Sequence, residues 1–89
     1  MKIKVVYTKK SVKDLQKLER VQAQKIVKKI KFYTEQEDLF SFAKRLNDPF
    51  SDLYRFRIGE YRAIFELDKN NKLTLLTILK VGHRKDIYS

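Results

Sequence analysis

The chain contains no cysteine, no tryptophan, a single histidine, a single proline and only two glycines among its 89 residues. The missing cysteines exclude both a disulfide framework and a thiolate metal site. His83 alone cannot found a histidine-rich cluster, and no carboxylate spacing suited to a cation appears. Metal-dependent chemistry is not expected, and no cofactor is implied. Long hydrophobic runs are missing too. The stretch from Met1 to Lys10 has one pair of adjacent aliphatic residues, Val5 and Val6, which fits neither a signal peptide nor a membrane span. A cytoplasmic protein with no membrane partner is the expectation. The length suits one small domain over residues 1–89, without room for a second core.

Negative charge is the scarcer sign. Lys and Arg number 21 against 11 Asp and Glu, a formal net charge of +10. Such a surplus predicts attraction to nucleic acid, to an acidic membrane surface or to an acidic protein. It is uneven: residues 1–34 carry 11 basic and 2 acidic side chains, residues 35–52 carry 2 and 5, and residues 53–89 carry 8 and 4. A lysine-rich helix face can simply keep a small protein in solution. Arginines clustered in strands are harder to explain that way.

Residues 2–7 alternate, with Ile3, Val5 and Tyr7 against Lys2, Lys4 and Val6, as in a strand with one buried face. Thr8 or Ser11 can cap the helix that follows, and Ser11 with Asp14 has the spacing of a capping box. Val12, Leu15 and Leu18 recur on one face over 9–18. Ala23, Ile26, Val27, Ile30 and Tyr33 or Thr34 do so over roughly 20–35, with Lys25, Lys28, Lys29 and Lys31 largely off that stripe. Two helices meeting near Leu18 to Val21 would form a hairpin covering one face of a sheet. Residues 36–52 are irregular, anchored by Phe40, Phe42 and Leu46, with a turn signal at Asn47-Asp48-Pro49.

Strands are expected at 53–58 and 61–67, then a loop from Asp68 to Lys72 and a long apolar strand from Leu73 to Val81. Alternation puts Leu73, Leu75, Thr77, Leu79 and Val81 of that strand on one face, and Thr74, Leu76, Ile78 and Lys80 on the other. Being apolar on both faces, it is expected in the middle of its sheet. Residues 82–89 read as a turn or short tail. The order β-α-α-β-β-β predicts an α+β fold, a helical hairpin packed on a small antiparallel sheet.

The most informative segment is Tyr54-Arg-Phe-Arg-Ile-Gly-Glu-Tyr-Arg62. A Gly-led two-residue turn between alternating runs is a type II′ hairpin signal. With Gly59 and Glu60 at the turn, Ile58 pairs with Tyr61, Arg57 with Arg62, Phe56 with Ala63 and Arg55 with Ile64. Tyr54, Phe56, Ile58, Tyr61, Ala63, Phe65 and Leu67 then share the core face, and Arg55, Arg57 and Arg62 the other. Like charges directly opposite are destabilising. An anionic partner would relieve them, as would Glu66 or another neighbouring carboxylate on a merely solvated face.

Element order, size and charge, with Leu53-Tyr-Arg-Phe-Arg-Ile-Gly-Glu-Tyr-Arg-Ala-Ile-Phe-Glu-Leu67, Val81-Gly-His-Arg-Lys-Asp-Ile-Tyr88 and Ala43-Lys-Arg-Leu46, resemble the RelE/ParE toxin superfamily in its RelE-like branch. The likeness spans nearly the whole chain and is specific in 43–88. It implies the RelE-like fold and a toxin of a type II toxin–antitoxin pair, monomeric when free and hetero-oligomeric with a RelB-like antitoxin. RelE-like toxins enter the ribosomal A site and cleave mRNA there without a metal ion. The 2′-hydroxyl attacks the adjacent phosphate, leaving a 2′,3′-cyclic phosphate and a 5′-hydroxyl. The implied partners are therefore the antitoxin, the ribosome with its ribosomal RNA, and mRNA.

Metal-free cleavage needs a group to take the 2′-proton, cations at the phosphate and a proton donor for the leaving oxygen. Arg62 is the candidate clamp, since its planar fork matches a phosphate bidentately. Arg84 stands at the family's motif arginine after the Gly of the final turn, with an implied role at the phosphate or leaving group. Arg55 and Arg57 match positions that are lysines in the founding toxin. Arginine is a poor general base, so here these two read as electrostatic, substrate-binding residues. His83 is suited to both acid and base roles, or is a surface residue following a turn. Tyr88 matches the family's C-terminal tyrosine, implied to stack on a base or orient the nucleophile, or it packs as a tail residue. Lys44 is a weaker candidate for RNA contact. Lys25, Lys28, Lys29 and Lys31 could meet ribosomal RNA or an acidic antitoxin alike. Two other functions stay open: a ParE-like toxin that inhibits gyrase and cuts no RNA, and a catalytically silent binding module.

Overall fold

The computed structural model describes residues 2–46, 52–69 and 73–87. The expected turn at Asn47-Asp48-Pro49, the end of the loop running to Lys72, and Tyr88 lie outside the described residues. The elements are β1 (Lys2–Tyr7), α1 (Lys9–Gln16), α2 (Arg20–Thr34), a 3-10 turn (Leu39–Ser41), β2 (Ala43–Arg45), β3 (Leu53–Ile58), β4 (Tyr61–Lys69), β5 (Leu73–His83) and α3 (Arg84–Ile87). The fold is α+β, with a five-stranded sheet ordered β1-β5-β4-β3-β2.

The sheet differs from expectation in three ways. It is mixed: β1 runs parallel to β5, Ile3 opposite Thr74 and Tyr7 opposite Ile78, while the other pairs are antiparallel. A parallel pair needs a long crossover, and everything between these two strands supplies it. The irregular stretch contributes an edge strand, β2, whose three residues pair with Tyr54, Arg55 and Phe56. The tail folds into a single helical turn, α3.

The core lies between α2 and the sheet. Ile26 and Ile30 are fully buried over Phe56, Phe65, Leu76 and Ile78, and the Phe56 and Phe65 rings stack at 4.3 Å. Ile3, Val5, Tyr7, Tyr54, Tyr61 and Leu67 pack around them, on the faces that alternation assigned.

α1 docks only in part through the apolar stripe expected of it: Leu15 and Leu18 pack against the core. Val12 is 40% exposed, and the buried residues of this helix are Ser11 and Asp14. Thr8 is the N-cap, accepting from the Ser11 N–H at 3.1 Å. Its own N–H donates to the Ile78 carbonyl and its hydroxyl to the Leu79 carbonyl, each at 3.1 Å. Asp14 closes no capping box. Its Oδ2 accepts from the Val81 N–H at 3.0 Å, and its Oδ1 pairs with Lys10. α1 thus satisfies the edge of β5 where β1 has ended, a need that residue spacing within the helix cannot reveal.

Candidate functional site

Gly59 is the one described residue with a positive φ, +60°. Glu60 does not share it, which is the type II′ pattern rather than type I′. A Cβ at Gly59 would meet nothing within 4 Å, so glycine is required there by backbone conformation alone. The turn sets the expected register: Arg57 opposite Arg62, Phe56 opposite Ala63 and Arg55 opposite Ile64. β2 adds Lys44 directly across from Arg55. Because Phe56, Ile58, Ala63 and Phe65 face α2, alternation places Lys44, Arg55, Arg57 and Arg62 together on the opposite face.

The like-charge pair is relieved by backbone oxygens. Arg57 is exposed, whereas Arg62 is only 7% exposed. Arg62 Nη1 donates to the carbonyls of Gly59 and Tyr61, both at 2.8 Å. The guanidinium is drawn back along the hairpin to its turn, away from Arg57. Glu66 sits further down the strand, opposite Leu53 and Thr77.

β5 holds a bulge that the sequence reading missed. Ile64 pairs with Lys80 but Phe65 with Ile78, leaving Leu79 as the extra residue. Before it, Thr74, Leu76 and Ile78 face α2; beyond it, Val81 does, in pair with Ala63. Lys80 therefore stands with Ile64 on the arginine face, not in the row of Leu76 and Ile78. Lys80 Nζ donates to the Ile87 carbonyl at 3.2 Å. Gly82, opposite Arg62, lies under α3, and a Cβ there would sit 3.4 Å from Ile87 Cδ1.

His83 and Arg84 group elsewhere. His83 pairs with Tyr61, their rings edge-on at 5.6 Å, which puts the imidazole on the α2 side of the sheet and not with the arginines. Its Nδ1 accepts from the Lys85 N–H at 3.1 Å, and its Nε2 is 4.0 Å from Glu60 Oε2. Arg84 Nε lies 2.8 Å from the same oxygen, and the Arg84 N–H donates to the Glu60 carbonyl at 2.7 Å. Glu60, unremarked in the sequence beyond its place in the turn, is the partner that ties these two residues to the hairpin. A cavity of about 530 Å³ wraps this end of β5, lined by Lys10, Lys17, Lys80, His83, Asp14 and Asp86 among others.

Lys25, Lys28 and Lys29 rim a second cleft of about 600 Å³, floored by Phe32, Ile58 and Tyr61; Lys31 is not part of it. Lys29 Nζ lies 5.4 Å from the Phe32 ring, whose residue is 48% exposed. Among the described residues no three His, Cys, Asp or Glu side chains converge to hold a metal ion, and no helix is long and apolar enough to cross a membrane.

The model of the ParE toxin of the type II toxin–antitoxin system parDE matches residues 5–88. The chain belongs to this toxin family. This toxin of the RelE/ParE superfamily is similar in structure to the RelBE2 toxin–antitoxin complex of Mycobacterium tuberculosis, at 23% identity over 94% of this chain and 100% of that one, TM-score 0.73. It is likewise similar to the RelE–RelB complex of Pyrococcus horikoshii OT3, at 27% identity over 97% and 99% of the two chains, TM-score 0.71. The RelB–RelE complex of Methanococcus jannaschii gives 25% identity over 93% and 94%, TM-score 0.68. No curated protein matches the toxin. The RelE-like fold and the type II toxin assignment expected from the sequence stand on these likenesses.

Proposed function

We propose that this toxin is a RelE-type endoribonuclease that cleaves mRNA in the ribosomal A site without a metal ion and so stops translation. The observation that carries the reading is the cationic face of β2, β3 and β4, where Lys44, Arg55, Arg57 and Arg62 stand in register on rigid strands. A row of cations held by strands can follow an RNA backbone and stabilise a phosphorane at little reorganisation cost. Arg57 and Arg55 are the accessible binders. Arg62, with Nη1 pinned to two carbonyls, has a fixed guanidinium plane, and two of its five N–H donors are used in the pinning. Arg84 would exchange its Glu60 partner for a phosphate oxygen. Its exposed ion pair is weak enough for that exchange.

A RelB-type antitoxin is the proposed protein partner, as the Pyrococcus and Methanococcus toxins were each solved with one. Free toxin is proposed to be a cytoplasmic monomer, and toxin with antitoxin a hetero-oligomer. A second reading, gyrase inhibition, is favoured by the ParE description of the matching family. Primer extension on mRNA from cells expressing the toxin separates them. Cuts that require ribosomes, with gyrase supercoiling intact, support the endoribonuclease. Intact transcripts with lost supercoiling would turn the assignment to gyrase.

A further inference from the structure

Resting on the endoribonuclease reading, we propose that Lys80 is the proton donor to the leaving 5′-oxygen, delivered to the arginine face by the bulge at Leu79. The first support is the bulge. With strict alternation from Thr74, Leu76 and Ile78, an ammonium at position 80 would be driven into the core beneath α2. One extra residue turns Lys80 to the opposite face and brings Val81 into the core in its place. Bulges disrupt the ladder and are enriched beside active sites, where they re-aim a side chain.

The second support is position. Lys44, Arg55, Ile64 and Lys80 form one cross-strand row, with Arg57, Arg62 and Gly82 in the next row but one along the strands. Arg55 and Lys80 flank the buried Ile64, two strand spacings apart, roughly 10 Å. A phosphate held over the row of Arg55 and Lys80 would lie between the two cations. Gly82, opposite Arg62, lies under Ile87 of α3, which closes that end of the face. The Lys80 ammonium donates to the Ile87 carbonyl, which positions it without neutralising it. Asp86 and Asp14 also line the cavity at this end, and Lys10 pairs with Asp14.

The third support is chemical. The 2′-oxygen forms its bond to phosphorus and gives its proton to water. The P–O5′ bond breaks, and the electron pair left on the 5′-oxygen takes a proton from Lys80 Nζ. The neutral amine is reprotonated by solvent, closing the cycle. Arginines hold their protons too firmly for this step, and His83, at the rim of the same cavity, turns its ring to Tyr61 on the α2 side. Lys44 shares the face but sits exposed on the three-residue edge strand, whereas Lys80 is half-buried on a strand paired through β4.

The test is single-turnover cleavage of mRNA on programmed ribosomes by wild type, Lys80→Arg and Lys80→Gln, each checked for folding by circular dichroism. Loss of a positioned general acid is expected to slow cleavage by about 10²- to 10⁴-fold. The Lys80→Arg protein should keep ribosome binding but not the rate. A substrate with sulfur in place of the bridging 5′-oxygen has a leaving group that needs no proton. It should restore both Lys80 variants to near the wild-type rate while leaving Arg57→Ala impaired. A Lys80→Arg protein as fast as wild type, or a deficit that the sulfur substrate does not repair, would overturn the role of Lys80 alone. An inactive wild type would overturn the endoribonuclease reading, and this proposal with it.

Discussion

Replacing Arg62 by alanine should unfold the toxin more readily as well as disarm it, and the size of the effect follows from its contacts. Arg62 is 7% exposed and gives two 2.8 Å hydrogen bonds to the Gly59 and Tyr61 carbonyls. A hydrogen bond involving a charged group contributes about 1.5–3 kcal/mol. The Gly59 carbonyl belongs to an exposed turn, where water can replace the lost donor. Removing the like-charge opposition to Arg57 returns a little more. A net loss of about 2 kcal/mol is expected, which at about 4–8 °C per kcal/mol for a domain of this size lowers Tm by roughly 8–16 °C. Arg57→Ala, at the exposed partner position, should leave Tm unchanged or slightly higher. Thermal unfolding followed by far-UV circular dichroism makes the comparison. If Arg62→Ala melts within about 2 °C of wild type, or if Arg57→Ala is the more damaging, the carbonyl-bound guanidinium does not hold the hairpin. Any toxicity assay on Arg62→Ala must then be read at a temperature where the variant is folded.

The two glycines should respond oppositely. Gly59→Ala forces φ +60° on a residue with a Cβ and should destabilise by about 1–2 kcal/mol, whereas Gly82→Ala, with a 3.4 Å contact to a side-chain end, should be close to neutral in the same melts. Asp14→Ala leaves the buried Val81 N–H without its carboxylate and should destabilise by about 1–3 kcal/mol in urea titrations; full stability in that variant would refute the edge-capping role of α1. Burial raises the Tyr7 phenol above its ordinary value of 10.0. The neutral phenol's contribution is complete below the unfolded value and is lost as pH rises through the folded one. Stability should therefore fall above about pH 10, and Tyr7→Phe should flatten that alkaline limb; identical limbs would refute it.

The hairpin was legible because a period of two, a glycine and a two-residue turn are all local signals, and together they set both register and faces. β1 and α2 were legible for the same reason, each carrying an unbroken period of its own. The bulge was not, since nothing around Leu79 marks it. It arises from the match between the apolar row of β5 and that of β4, which is a property of two strands together. Its omission misplaced both Lys80 and Val81. β2 was hidden because three residues, Ala43-Lys-Arg45, cannot display a period. The burial of Arg62 was equally invisible: an arginine opposite an arginine reads as exposed until the turn carbonyls come into place. The side of His83 was hidden by the bulge as well, since its pairing with Tyr61 lies beyond it.

The parallel pairing of β1 with β5 has a consequence for how the toxin is born. β1 is the first strand made, and the partner that fills its inner edge is the last. Thr8 reaches Leu79 across a separation of 71 residues. At a synthesis rate of about 5–20 residues per second, that partner follows on the order of 4–14 s later. Until then the sheet lacks the strand that joins β1 to β4, the core lacks Leu76, Ile78 and Val81, and α1 has no edge to cap. The sheet therefore closes only when β5 has come between β1 and β4.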